Sequence, residues 1–253
     1  MESYGKLCTA YYDLDKPFLA SDALAYYQAK AAESSGPVLE PMCGSGRFLI
    51  PLLQAGIPIE GVDASREMLA ACALRGAGLG LTPTLYEQAL EKLSLPQRYT
   101  LAFIPSGSLG LIHQQKSLRA CLRRLRRHLS PSASLLVELV DAESFGSGAS
   151  ESGSNSVIVQ DGKSISYQWR TTCSRKRRTI HFNSRYTLRE SDSVLAEESE
   201  QLVLKLYTSQ EFLDELQLAG FTGPRVVQKT GEMSWLREGG CSLYECTVPG
   251  RAH

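Results

Sequence analysis

One stretch limits what this chain can fold into more than any other: Pro37-Val38-Leu39-Glu40-Pro41-Met42-Cys43-Gly44-Ser45-Gly46-Arg47-Phe48-Leu49. A short apolar run ends in an acid, a glycine-rich turn follows, and a helical pattern through Leu52 and Leu53 stops at Gly56. The order is strand, tight loop, helix. In an open parallel sheet such a loop lies outside the carboxyl ends of the strands, where ligands bind. Gly44 and Gly46 carry no side chain, so a ligand can approach the backbone there. The N–H groups at the helix start suit an anion, here a carboxylate rather than a phosphate. Ile57 to Asp63 reads as the next strand, with Asp63 at its carboxyl end, where an acid accepts from both ribose hydroxyls of a nucleoside. A nicotinamide fingerprint would need a small residue three positions after Gly46; Leu49 stands there, so Gly-x-Gly-x-x-Gly fails.

The remainder of the chain continues this pattern and then departs from it. Residues 1–36 hold Tyr4, Tyr11, Tyr12, Tyr26 and Tyr27, with Tyr11 to Pro17 expected as a loop between two short helices and Ser21-Asp22 as the cap of the second. Ser65 is placed to cap a helix carrying Met68, Leu69 and Cys72, Thr84-Leu85-Tyr86 is a short third strand, and Leu101 to Ile104 is a fourth, stopped by Pro105. Ser117 to Leu129 is amphipathic, with Leu118, Cys121, Leu122 and Leu125 on one face and arginines largely elsewhere. Ser130 to Ala133 is expected as a turn before a fifth strand, Leu135 to Val140, in which Glu138 either pairs or reaches the cleft. Residues 146–156 are a Gly/Ser-rich flexible stretch. After them the period becomes two, at Ile165-Tyr167-Trp169, Ile180-Phe182 and Leu202-Leu204-Leu206, which argues antiparallel strands with Ser174 to Arg178 as a basic hairpin tip. Thr208-Ser209-Gln210-Glu211 starts a helix as a capping box, with Phe212, Leu213, Leu216 and Leu218 as its apolar side, and Val226-Val227 and Cys241 to Cys246 are the last two strands.

Composition excludes several classes. Lys plus Arg and Asp plus Glu are 27 each, so no general charge draws the chain to nucleic acid or an anionic membrane. The arginine-rich helix and the basic tip read as solvated surfaces. Seven scattered cysteines without a Cys-x-x-Cys, and four distant histidines, point to reduced thiols in a cytoplasmic protein with no metal site. No signal peptide and no run long enough to span a bilayer is expected.

The acid-loop-acid pattern resembles the class I S-adenosylmethionine-dependent methyltransferases. Their acid-x-Gly-x-Gly-x-Gly signature stands here as Glu40-Pro41-Met42-Cys43-Gly44-Ser45-Gly46, and their ribose acid as Asp63 within Asp63-Ala64-Ser65-Arg66-Glu67-Met68-Leu69. Met42 replaces the first glycine and Pro41 removes one loop N–H. Gln88-Ala89 lies where relatives often carry an acid for the adenine amino group, and Thr100 where they often carry Asp. The insert before Tyr207-Thr208-Ser209-Gln210-Glu211-Phe212-Leu213 looks like the one that roofs the acceptor pocket in glycine/sarcosine-type and amino-sugar N-methyltransferases. A Tyr-Asp pair ahead of the first strand looks like the N-terminal lid of small-molecule N-methyltransferases, which makes Tyr12 the catalytic candidate.

The resemblance implies an α/β fold: a Rossmann-like, doubly wound, seven-stranded, mainly parallel sheet with an antiparallel β insert after the fifth strand and an N-terminal helical cap. Residues 1–36 would form the cap, 37–145 and 207–253 the cofactor-binding domain, and 146–206 the roof. S-adenosylmethionine would be the cofactor, held by Tyr12, Glu40, Met42, Gly44, Ser45, Gly46, Arg47, Asp63, Ala64, Met68, Gln88, Ala89, Ile104, Pro105 and Ser106, with no metal. The acceptor would be a small molecule, an amine by preference, since a neutral amine needs no strong base at attack. The partners would include neither nucleic acid nor membrane, and a homodimer is open. The alternatives are a cofactor-binding regulatory protein without catalysis and, further off, a nucleotide-dependent oxidoreductase.

Overall fold

The computed structural model describes residues 4–17, 19–142, 150–159, 162–228, 236 and 240–250. Two helices, α1 (Lys6–Asp15) and α2 (Ser21–Glu33), precede the first strand. The order then runs β1 (Val38–Pro41), α3 (Leu49–Gln54), β2 (Ile59–Asp63), α4 (Arg66–Ala77), β3 (Thr84–Glu87), β4 (Tyr99–Ile104), α5 (Gln115–His128) and β5 (Leu129–Val140). An antiparallel run follows, β6 (Glu151–Ile158), β7 (Lys163–Ser174), β8 (Thr179–Glu190) and β9 (Ser193–Lys205), before α6 (Ser209–Leu218), β10 (Thr222–Gln228) and β11 (Cys241–Thr247) close the chain.

Seven strands form one sheet in the order β10-β11-β5-β4-β1-β2-β3. Strands β1 to β5 pair in parallel, and β11 runs antiparallel to both β5 and β10. Strand order reverses at β1, between β4 and β2, which opens a crevice at their carboxyl ends. The central strands are buried on both faces, so their side chains divide by alternation. Leu39, Ala102 and Ile104 pack with Leu118, Leu122 and Leu125 of α5 and Phe212 and Leu216 of α6. Val38, Leu101 and Phe103 pack on the other face with Tyr27 of α2, Leu49 and Leu52 of α3 and Leu69 and Cys72 of α4. A near-continuous apolar run in such a strand follows from this two-sided burial.

Strands β6 to β9 form a separate four-stranded antiparallel sheet in sequence order, as the period of two predicts. The basic cluster is the β7–β8 turn, with Arg178 at φ 50°. Thr208 and Glu211 complete the capping box of α6.

Five local expectations are corrected. Tyr11 to Asp15 belong to α1, not to a loop. Ser21 does not cap α2: Ala20 holds the cap position without a side-chain bond, and Asp22 accepts from Ala23 N. Residues 130–133 are not a turn but part of β5, because Ser132 N bonds Val248 O and Ser134 pairs with Thr247 of β11; the slack is taken up by a register shift against β4 and by Ser132 at φ 64°. The Gly/Ser-rich stretch is strand from residue 151 onward, since backbone pairing with β7 outweighs the weak strand propensity of Ser and Gly at a sheet edge; residues 146–149 lie outside the described residues. Leu218 is 65% exposed rather than on the buried side of α6.

Candidate active site

A cavity of about 810 Å³ lies at the carboxyl ends of β1, β2 and β4, under α1 and against β9. Glu40 ends the fully buried strand β1 beside Pro41, and is itself only 2% exposed. Burial raises its carboxyl well above the usual range, opposed by a backbone bond from Leu49 and by the Arg47 charge. Its Oε2 lines the cavity side and has no hydrogen-bond partner among the described residues. A buried carboxylate oxygen in that state is unfavourable unless a donor or cation meets it.

Asp63, at the end of β2, is held by the loop across from it. Gly44 N donates to Oδ2 at 2.8 Å and Ser65 N to Oδ1 at 2.8 Å. Burial raises its pKa while these backbone donors lower it. Both oxygens keep lone pairs for a ligand. Ser65 caps α4 by accepting from Met68 N, which fixes Ala64 and Met68 on the cavity wall.

The loop residues divide by what their side chains, or missing side chains, meet. Gly44 has φ 53°, and a Cβ there would meet little besides Met68 Sδ at 3.8 Å, so its bareness leaves space toward the cavity. Gly46 is not among the residues that line the cavity: a Cβ there would lie 2.4 Å from Cys72 Sγ, so this glycine lets α4 pack close. Met42, where a glycine is expected, sits at φ 59° and packs partly against the core. Ser45 donates to Asp13 Oδ1, which also receives Arg75 at 2.8 Å, tying α1 to the loop.

Tyr12 and Tyr11 point apart, as neighbours on a helix must. The Tyr12 hydroxyl accepts from Arg47 Nη1 at 3.0 Å, and its ring lines the cavity under the Arg47 and Lys16 cations. Tyr11 is buried between Tyr167 and Tyr186 of the insert, with centroids 4.7 and 5.7 Å away. Pro105 and Ser106 line the cavity after β4; Ser106 N donates to Glu138 Oε2 at 2.6 Å, and Tyr27 donates to Oε1 at 2.6 Å. Glu138 therefore pairs rather than reaching the cleft. Ile104 is fully buried in the core and is no part of the cavity wall. Gln88 and Ala89 are on the wall, but the Gln88 amide is closed on Ser94, donating to its carbonyl and accepting from its N–H.

Sequence reasoning missed Tyr4, Ile112, His113 and the β9 residues Gln201, Leu202 and Val203, all on the wall. The resemblance implied that the insert roofs the pocket, but the two-residue period of β9 does not say which of its residues meet a ligand. Among the described residues no group of three His, Cys, Asp or Glu side chains is placed to hold a metal, and no helix is long and apolar enough to cross a membrane.

Residues 38–132 match the methyltransferase domain family. That part of the chain is similar to the methyltransferase domain. This span includes the acid, the glycine loop, Asp63 and the loop after β4. Among solved structures, the chain is similar to a S-adenosylmethionine-dependent methyltransferase from Clostridium acetobutylicum, with TM-score 0.73 and 15% identity over 98% of this chain and 99% of that one. The sugar N-methyltransferase KedS8 from Streptoalloteichus gives TM-score 0.75 and 18% identity over 95% and 91%. CalS10, an amino pentose methyltransferase from Micromonospora echinaspora, gives 0.69 and 18% over 98% and 98%. The fold is thus the Rossmann-like one of S-adenosylmethionine-dependent methyltransferases. No curated protein sequence matches the chain.

Proposed function

We propose that this methyltransferase transfers a methyl group from S-adenosylmethionine to the amine of a small molecule. The observation that carries the cofactor reading is Glu40: a buried carboxylate oxygen with no partner among the described residues, on a residue that lines a cavity also lined by Asp63 at the end of the next strand. An ammonium at Glu40 and a diol at Asp63 match the two polar ends of the cofactor. Gly44, Ser45, Arg47, Ala64 and Met68 line the space between, with Met42 and Pro105 beside them. When bound, the cofactor supplies a methyl group on a positively charged sulfur for in-line transfer.

The protein's share is alignment and exclusion of water. Tyr12 closes the cavity from above with its hydroxyl fixed by Arg47. Ser108, Leu111, Ile112, Gln201, Leu202 and Val203 give the cavity an uncharged stretch of lining with His113 beside it, while Glu67, Glu87 and Glu91 add carboxylates elsewhere on the lining. An amine suits a site that works by alignment, since a neutral amine needs no strong base at the moment of attack. KedS8 and CalS10 are an amino-sugar type of relative in name, which supports a small-molecule amine. The loop argues against an oxidoreductase: Leu49, where a dinucleotide fold needs a small residue, is fully buried in the helix-sheet core. Six of the seven cysteines are buried and all are free, which fits a reducing cytoplasm.

The test is turnover. Purified protein given S-adenosylmethionine and a panel of small amines, amino sugars included, should release S-adenosylhomocysteine, and Asp63→Ala should weaken binding of both cofactor forms by about 3 kcal/mol, the scale of two hydrogen bonds to a charged acceptor. Tight cofactor binding without turnover on any acceptor would favour the regulatory reading; unchanged affinity in the variant would remove the ribose assignment.

A further inference from the structure

The helix that carries Tyr12 has no N-terminal cap of its own. Its cap position is Gly5, with extended backbone and no side chain, and its first turn holds no acid. The donors that a local cap would satisfy are the N–H groups of the second and third helical residues, Leu7 and Cys8. Both are instead met by one side chain from the insert. Leu7 N donates to Glu198 Oε2 at 2.9 Å and Cys8 N to Glu198 Oε1 at 3.1 Å. Two residues on along β9, Glu200 accepts from Tyr4 N and from Cys8 Sγ. A Cβ on Gly5 would lie 2.6 Å from the Glu198 carboxylate, so the bare cap position makes room for the distant one.

We infer that Glu198 is a positioning residue for methyl transfer: it is the N-cap of α1 supplied in trans, and through α1 it places the Tyr12 hydroxyl over the cavity. A carboxylate at a helix N-terminus also meets the positive end of the helix dipole. The same strand then continues into Gln201, Leu202 and Val203 on the cavity wall. Wall and lid are therefore joined through β9, which holds the start of α1. The opposite end of α1 is held by Asp13 on Ser45 and Arg75, so removing the cap loosens the helix start without releasing the lid. The catalytic part of this inference rests on Tyr12 acting at the methyl group; the capping part does not.

Glu198→Ala removes both acceptors. Amide exchange at Leu7 and Cys8 should quicken by about tenfold, within the range that loss of a helix cap gives, and kcat should fall by a similar factor while the cofactor Kd changes by less than about threefold. The decisive variant adds Gly5→Ser to Glu198→Ala. The serine Cβ enters the space the carboxylate has left, its hydroxyl caps Leu7 or Cys8 locally, and both exchange protection and kcat should return. Should Glu198→Ala fail to fold, Glu198→Gln keeps one acceptor oxygen and carries the same two readouts. Unchanged exchange in the single variant would overturn the cap. Exchange restored in the double variant with kcat still low would overturn the positioning role. Tyr12→Phe as fast as the parent would instead sink the Tyr12 reading and leave the exchange result standing.

Discussion

Tyr12 and Tyr11 are adjacent on α1, yet one faces the cavity and the other is buried among Tyr167 and Tyr186. Of the two, only Tyr12 lines the cavity, and its hydroxyl accepts from Arg47. Tyr12→Phe should lower the single-turnover rate by about one to two powers of ten with little change in cofactor Kd, since an alignment group acts mainly in the transition state. Tyr11→Phe should leave the rate near the parent's, and stopped-flow measurement of both variants decides between them. Met42 shows the opposite case. A left-handed φ on a side-chained residue costs about 1 kcal/mol relative to glycine, and the contacts of Met42 with the core partly offset it. The motif's first glycine is thus replaced by a residue that still adopts the glycine's backbone, and the loop keeps its course.

At the scale of elements, the insert is joined to the rest at two places with different duties. Near α1 it supplies Glu198, Glu200 and the aromatic bed for Tyr11. At the other end the β7–β8 turn docks on α6, where Arg178 pairs with Glu211 and the Arg178 carbonyl accepts from Leu206 N at 2.8 Å. Arg175, Lys176 and Arg177 project into solvent beyond that contact and are absent from the cavity wall. Replacing these three with alanine should leave S-adenosylmethionine affinity within about twofold of the parent by calorimetry, because they are solvent-exposed, line no part of the cavity, and exposed charges are screened by salt. A large loss of affinity in a folded variant would mean that the tip contributes to the site. The elements themselves were largely legible. Ser65 and Thr208 announce their helices by cap chemistry, and β7 to β9 announce themselves by alternation. The Ser130 to Ala133 segment and β6 were not legible, because their strand form depends on partners, β11 and β7, that lie far along the chain or at a sheet edge.

For the whole molecule, the decisive charge is the one shut inside it. Burial holds the Glu40 carboxyl above its ordinary range, so the folded protein binds a proton there more tightly than the unfolded chain. The sign follows from linkage: this group favours folding at low pH, and the advantage is lost as pH rises from the usual carboxylate range through the raised value. An ammonium at Oε2 reverses the preference. Cofactor binding should therefore release a proton in that same window, seen as a buffer-dependent heat in calorimetry, and Glu40→Gln should abolish the release and weaken binding by about 1.5–3 kcal/mol. Binding with no proton release in the parent would deny Glu40 its place at the ammonium. The sequence by itself determined the sheet, its crevice and the two acids, because apolar runs, glycines and strand-end acids act over a few residues and leave a local pattern. Only the tertiary structure decided that the bareness of Gly46 makes room for α4, that Glu138 is spent on Ser106 and Tyr27, and that Glu198 caps a helix about 190 positions before it. Each of those assignments depends on which side chains meet across elements, and that distance relation is fixed by packing, with no local signature in the chain.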